Sequence, residues 1–174
     1  HAISGNTDRV RCVAMTKLDS SKTLRAALVQ HSDCGDAQSN LAYVEGQTAQ
    51  AAAAGARLVL LQELHNTAYF CQTEDVTHFD LAETIPGPTT ERLGLIARQL
   101  GVVIVGSVFE RRASGLYHNT AVVLEADGTL AGRYRKMHIP DDPGFQEKFY
   151  FSPGDLGFSP VQTTVGRLGV LICW

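Results

Sequence analysis

The sequence predicts an α/β domain built on a mixed sheet, and three observations carry the prediction. Short apolar runs alternate with longer amphipathic or alanine-rich segments from residue 23 to residue 109. Turn chemistry marks the boundaries, with Gly55, Pro86-Gly87-Pro88 and Gly101 standing where elements must end. Beyond residue 109 the connections shorten to hairpin length, so antiparallel strands must join a sheet that begins with helical crossovers.

Taken in order, residues 1–14 (HAISGNTDRVRCVA) have no clear period and no apolar signal-peptide core. Met15 reads as a natural start, and residues 1–22 are set apart as an N-terminal extension or expression remnant, leaving 23–174 as the domain. Residues 23–30 (TLRAALVQ) read as a first buried strand. A helix follows over 36–54, with Asp36 as N-cap, Leu41 and Val44 among its apolar contacts, and Gly55 just past its end. Its alanines give high helix propensity and allow close packing on a sheet. Residues 57–61 (RLVLL) form a second strand.

Thr89 or Thr90 is expected to cap a second helix running to about Leu100, with Leu93, Ile96, Ala97 and Leu100 on one face. Residues 102–109 (VVIVGSVF) make a third, almost wholly apolar strand. Residues 119–125 and 130–135, joined at Asp127-Gly128, read as a hairpin. A long loop over 138–157 leads to a strand near 158–163, and a turn at 165–167 leads into a final strand over 168–172 that ends at Cys173.

Composition narrows the function classes. At 174 residues the chain has the length for one domain with a real core, and 44% hydrophobic with 19% charged residues is globular, not disordered. A net charge of -3 without a long like-charge block speaks against a nucleic-acid or anionic-membrane surface as the main partner. No apolar run reaches the roughly 18 residues of a spanning helix. Cys12, Cys34, Cys71 and Cys173 form no C-x-x-C pair and no metal-ligand spacing, so they read as reduced thiols of a cytoplasmic protein. Neither G-x-G-x-x-G nor G-x-x-x-x-G-K-[ST] is present, which leaves nucleotide binding without a motif.

Three polar residues stand at predicted strand ends. Glu63 lies two residues beyond Leu61, Lys136 directly follows residue 135, and Cys173 closes the last apolar run. Each has an ordinary reading: a solvated loop glutamate, one charge in a basic strand end, a core cysteine. Together they supply a base, a cation and a thiol, which is a set suited to acyl transfer. His138 as a base and His118 as a metal ligand are set aside, since no second ligand at zinc spacing accompanies either. A histidine–cysteine site of the thiol-protease kind would need a helix-borne cysteine.

Residues 60–64 (LLQEL), 135–138 (RKMH) and 169–174 (GVLICW) resemble, in order, the three signature segments of the carbon–nitrogen hydrolase (nitrilase) superfamily. Residues 136–151 (KMHIPDDPGFQEKFYF) and 69–72 (YFCQ) resemble its N-carbamoylputrescine amidase branch, although His65 stands where that branch has an aromatic and so implies a slightly altered pocket. The resemblance implies an αββα sandwich, and this chain is expected to be only the N-terminal part of it. It implies Cys173 as nucleophile, Glu63 as general base, Lys136 as oxyanion stabiliser, and Glu147 orienting Lys136 or the substrate. The Trp174 backbone N–H would be a second oxyanion donor. Tyr69, Phe70, Asp142, Phe149 and Trp174 are the expected substrate-binding residues. A small carbamoylated amine is the implied substrate, with no cofactor, no metal, and a homodimer or larger homo-oligomer as the assembly. Asp141 and Asp142 lean toward a cationic substrate tail. Another N-carbamoyl or ω-amide substrate, or an inactive binding module with the same fold, are the alternatives.

Overall fold

The computed structural model describes residues 11–13 and 23–173. Six strands form one mixed sheet in sequential order: β1 (Arg11–Val13), β2 (Ala26–Val29), β3 (Leu58–Leu61), β4 (Val103–Ala113), β5 (Leu116–Leu124) and β6 (Leu130–Arg135). β2, β3 and β4 are parallel, and β1, β5 and β6 add antiparallel pairs on either side. The expected mixed sheet is therefore present. Residues 11–13, inside the segment set apart as an extension, supply the strand that flanks β2.

The parallel pairs require crossovers, and α1 (Ala37–Ala53) and α2 (Pro88–Leu100) provide them. Asp36 caps α1 as expected, its side chain accepting from the Ser39 N–H at 2.7 Å. At α2 the cap is Gly87, not a threonine, because Pro88 takes the first helical position, where its missing N–H costs nothing. Thr90 acts one turn in, its hydroxyl accepting from the Gly87 N–H at 2.8 Å.

Strand alternation sorts the sheet into two faces. Ala27, Val29, Val59, Ile104, Val122 and Leu124 pack with Val44, Leu93, Ile96 and Ala97 of the two helices. On the other face Leu58, Val103 and Val123 meet Val161 of a separate hairpin, β7 (Val161–Thr163) and β8 (Gly166–Leu168). α2 also lies hard against the β5–β6 turn: a Cβ at Gly94 would sit 2.6 Å from the Gly128 carbonyl oxygen, so only glycine permits that approach.

Two expectations need correction. β4 extends past residue 109 and β5 begins before residue 119, forming a long hairpin around Gly115 that runs on beyond the part of β4 paired with β3. Of the buried strand expected over 168–172, only Leu168 lies in a strand, as the last residue of β8, and residues 169–173 carry no regular secondary structure. An apolar run becomes a strand only with a ladder partner, and among the described residues none pairs with it. Ile172 is buried, whereas Leu171 and Cys173 are exposed.

Candidate active site

β3 and β6 point the same way, since β6 is two antiparallel steps from β4, which is parallel to β3. Their C-terminal ends therefore open on one edge of the sheet, and Glu63 and Lys136, just beyond them and separated by β4 and β5, meet there through their side chains. The chain turns sharply after Glu63: Leu64 takes φ 49 and is held there by burial and by its N–H donating to Ser107 Oγ at 2.6 Å. A left-handed leucine is costly and persists only where its surroundings fix it, so the direction of Glu63 is set by the fold. Lys136 continues the β5–β6 ladder by one bond, its N–H donating to the Asn119 carbonyl at 2.9 Å, and its own carbonyl accepts from Gly154 at 2.8 Å. A Cβ at residue 154 would stand 2.0 Å from the Arg135 carbonyl oxygen, so that strap too demands glycine.

Glu147 arrives from the loop over 138–157, as the first residue of a single helical turn, α3 (Glu147–Tyr150). Two contacts zip this loop to the 64–75 segment: Gln146 N–H donates to the Cys71 carbonyl at 2.8 Å, and the Tyr150 hydroxyl donates to the Thr73 carbonyl at 2.5 Å. Beneath them Phe70, Phe109, Tyr150 and Phe151 form an aromatic cluster, with Phe70 stacked on Phe109 at 5.0 Å.

The charged centre that results is compact. Lys136 Nζ donates to Glu63 Oε1 at 2.8 Å and to Glu147 Oε2 at 2.7 Å. Lys136 is fully buried and Glu147 nearly so, while Glu63 keeps 27% of its side-chain exposure. Burial acts to lower the Lys136 ammonium, but hydrogen bonds to Glu147 and Glu63 outweigh it and hold the group above the usual lysine range. Lys136 is thus a fixed cation at neutral pH. Two further donors complete the centre: Tyr69 OH donates to the outer oxygen of Glu147, Oε1, at 2.9 Å, and Asn119 Nδ2 donates at 2.6 Å to Glu63 Oε1, the oxygen that Lys136 also bonds. Burial and then the Glu147 carboxylate push the Tyr69 phenol far up, so it remains a donor.

A cleft of about 570 Å³ opens over this centre, lined by Gln30, His31, Gln62, Glu63, Tyr69, Pro140, Asp142, Phe145, Glu147 and Cys173. Glu63 and Cys173 also line a second cavity of about 420 Å³, between the β3–β4 face and residues 167–172. Cys173 reaches the cleft from a left-handed backbone, φ 44, with its side chain exposed. Cys71 is the opposite kind of thiol. It is wholly buried, and burial followed by the nearby Glu147 charge pushes it well above the ordinary cysteine range, which keeps it protonated and inert.

Of the residues expected at the site, the structure brings Glu63, Tyr69, Asp142, Glu147 and Cys173 to one cleft, with Lys136 directly beneath. Trp174 lies outside the described residues. Phe70 and Phe149 are corrections. Phe70 is 6% exposed and spends its ring in the aromatic cluster, and Phe149 lines a separate surface cleft with Phe79 and Tyr117. Both spend their rings on aromatic packing, Phe70 against Phe109, Tyr150 and Phe151 and Phe149 against Phe79 and Tyr150. His65, expected to alter the pocket, is buried beside Gly106 and is not among the residues that line the cleft. His118 binds the Ser152 carbonyl through Nδ1 at 2.9 Å, a loop anchor. Among the described residues no three His, Cys, Asp or Glu side chains gather as a metal site would require.

Sequence reasoning did not single out Asn119, His31 or Phe145. Asn119 had a usable signal: with His118 and Thr120 it makes a polar break ahead of the apolar run 121–124, all inside one strand. His31 and Phe145 had none, since both reach the cleft from irregular backbone.

Comparison with known proteins gives the family and the fold. The Carbon-nitrogen hydrolase family matches residues 25–174. An N-carbamoylputrescine amidase from Solanum lycopersicum is 42% identical over 157 residues, covering 90% of this chain and 52% of that protein. A citrullinase from Francisella tularensis is 41% identical over 152 residues, covering 87% and 53%. Among solved structures, a carbon-nitrogen hydrolase from Helicobacter pylori G27 aligns with a TM-score of 0.84 at 48% identity, covering 87% of this chain and 52% of that one. The chain spans about half the length of the relatives it matches.

Proposed function

The chain belongs to the carbon–nitrogen hydrolase family, and from that premise we propose that the protein is a thiol amidohydrolase acting on an N-carbamoyl amine, with N-carbamoylputrescine as the preferred substrate. The observation that carries the reading is Lys136, buried and bonded to both Glu63 and Glu147 at the floor of the cleft that Cys173 lines.

In this reading Glu63 accepts the thiol proton as Cys173 Sγ bonds to the carbamoyl carbon. A cysteine near its ordinary pKa of ~8.5 is mostly protonated at neutral pH, so a neighbouring base is needed. Lys136 stabilises the negative oxygen of the tetrahedral intermediate, where a fixed cation in a water-poor site acts most strongly. Glu63 returns the proton to the leaving nitrogen, ammonia departs, and a carbamoyl thioester remains on Cys173. Glu63 then takes a proton from water as the water oxygen attacks that carbon. The C–S bond breaks, the thiol is regenerated, and the released carbamate decomposes to carbon dioxide and the free amine. Glu147 keeps the Lys136 ammonium aimed.

Charge favours an amine product over an acidic one. Glu63, Asp142 and Glu147 line the cleft against the single cation of Lys136 beneath it, so the described lining stays net acidic. An ammonium tail is stabilised there, and a carboxylate tail is repelled. Citrulline, which carries both charges, is the second reading, and the similarity to a citrullinase is what favours it. A cytoplasmic homo-oligomer working in putrescine formation without a cofactor completes the proposal; the described cysteines Cys34, Cys71 and Cys173 are all free thiols, in keeping with a reducing compartment.

Ammonia release by the full-length protein tests the reading, with N-carbamoylputrescine, citrulline and N-carbamoyl-β-alanine compared against a Cys173→Ala variant. Activity on the first that disappears in the variant supports it. Preference for citrulline keeps the chemistry and moves the substrate. Absence of Cys173-dependent turnover on any of them leaves an inactive binding module.

A further inference from the structure

Asn119 touches both halves of the charged centre. Its backbone carbonyl accepts from the Lys136 N–H at 2.9 Å, and its side-chain Nδ2 donates to Glu63 Oε1 at 2.6 Å. The same Oε1 accepts from Lys136 Nζ at 2.8 Å. One carboxylate oxygen therefore carries two strong donors, and they fix the rotation of the group. The amide orientation follows from chemistry, since a carboxylate only accepts and the flipped amide would set oxygen against oxygen.

Folding alone does not explain an asparagine here. The residue is fully buried on β5, and its Oδ1 has no hydrogen-bond partner among the described residues. A buried acceptor left unmade is destabilising, and a valine at this strand position would carry no such penalty. The amide is present in spite of its effect on stability, and among the described residues the only side-chain bond it makes is to Glu63.

We propose that Asn119 is the positioning residue of the catalytic carboxylate: with Lys136 it occupies Glu63 Oε1 and so leaves Oε2 as the oxygen that exchanges protons with Cys173. The inference rests on the reading of Glu63 as base and Cys173 as nucleophile. Without the amide, Lys136 alone holds Glu63, the carboxylate rotates about its terminal bond, and the proton acceptor loses its fixed direction toward the thiol.

Thiol reactivity tests this without reference to the substrate. In the full-length protein, alkylation of Cys173 by iodoacetamide is followed by peptide mass spectrometry, with exposed Cys34 as the internal clock. Glu63→Gln is expected to slow Cys173 by about 100-fold, the low end of what a positioned base contributes. Asn119→Ala and the isosteric Asn119→Asp should slow it by about tenfold or more, with Cys34 unchanged, and should lower kcat while KM stays within about threefold. Thr120→Val is the structural control: Thr120 is equally buried on the same strand, but its hydroxyl bonds Glu110 at 2.6 Å, not Glu63. Wild-type Cys173 reactivity in both Asn119 variants, with Glu63→Gln slowed, overturns the inference alone. Equal slowing in Thr120→Val and Asn119→Ala also overturns it, by assigning the effect to strand stability. If Glu63→Gln leaves the thiol unaffected, the base assignment itself falls, and the inference falls with it.

Discussion

Lys136 Nζ lies 2.7 Å from Glu147 Oε2 with both side chains closed to solvent, an ion pair that the fold has buried completely. Removing one member of such a pair strands the other's charge, which costs about 3–5 kcal/mol. Lys136→Met should therefore lower stability by that order and lower kcat by about 1,000-fold or more through loss of the oxyanion partner. Glu147→Gln keeps the shape and the Tyr69 contact, so a smaller stability loss and a measurable residual rate are expected. Chemical denaturation and steady-state kinetics on both variants check this. The pH dependence has a definite sign. The Lys136 pKa is raised on folding, so its contribution is fully present below the unfolded lysine value of about 10.4 and is lost as pH rises past it. Wild type should lose stability above that pH more steeply than Lys136→Met.

The two thiols near the centre should separate by phenotype. Cys173 is exposed and packs on little, so Cys173→Ala should abolish turnover while stability stays within about 0.5 kcal/mol. Cys71 has no exposure and lies within the aromatic cluster, so Cys71→Ala should cost about 1–2 kcal/mol for the lost sulfur and its cavity, with kcat largely kept. Thermal melting beside ammonia release distinguishes them. A reversal of the two phenotypes would make Cys71 the reactive thiol.

What the sequence made legible was local. Asp36 announced the start of α1 because a short acidic side chain before an apolar period has one good use. Glu63 and Lys136 could be placed at strand ends because the apolar run 58–61 stops just before one and the hairpin strand read over 130–135 stops just before the other. Residues 169–173 misled for the complementary reason: periodicity reports burial preference, whereas a strand also needs a ladder partner, and hydropathy is silent on that. Phe70 and Phe149 misled because an aromatic beside a site motif can wall the pocket or prop up the loop that bears it, and only tertiary packing decides. Asn119 stayed hidden because its importance lies in a contact with a residue 56 positions away.

Glu110 and Arg135 should matter to the site at a distance. Arg135 Nε donates to Glu110 Oε2 at 2.7 Å and its terminal nitrogen to Oε1 at 2.6 Å, both residues being buried. This forked pair ties β4 to β6 one residue before Lys136. Glu110→Ala leaves the guanidinium buried with only Asp155 beside it, and a loss of about 3–5 kcal/mol is expected in urea denaturation. Burial opposes the Glu110 charge, but Arg135 and Thr120 outweigh it and lower the carboxyl below its ordinary range. Its contribution is therefore present above the unfolded glutamate value of about 4.3 and disappears as pH falls through the lower folded value. The stability gap between wild type and Glu110→Ala should accordingly narrow below about pH 4.

His65 sets the acid response of the fold. The imidazole is fully buried, and among the described residues neither ring nitrogen has a hydrogen-bond partner within ordinary geometry. Burial, reinforced by the neighbouring His31 and opposed by the Ser107 backbone, lowers its pKa from 6.5 to about 4. A base whose folded pKa is depressed binds its proton more readily when unfolded, so stability falls as pH drops from about 6.5 to about 4. The full difference amounts to about 3 kcal/mol. His65→Phe removes the titration while keeping an aromatic ring in the space beside Gly106, where an added Cβ would lie 3.0 Å from His65 Cε1. That tightness can change the absolute stability of the variant, so the informative quantity is the slope with pH. Urea midpoints for wild type and His65→Phe at pH 7 and pH 4.5 should show the variant losing less by roughly 2–3 kcal/mol. Parallel losses would mean that His65 gains a proton without unfolding, and that the buried site holds a polar partner for it.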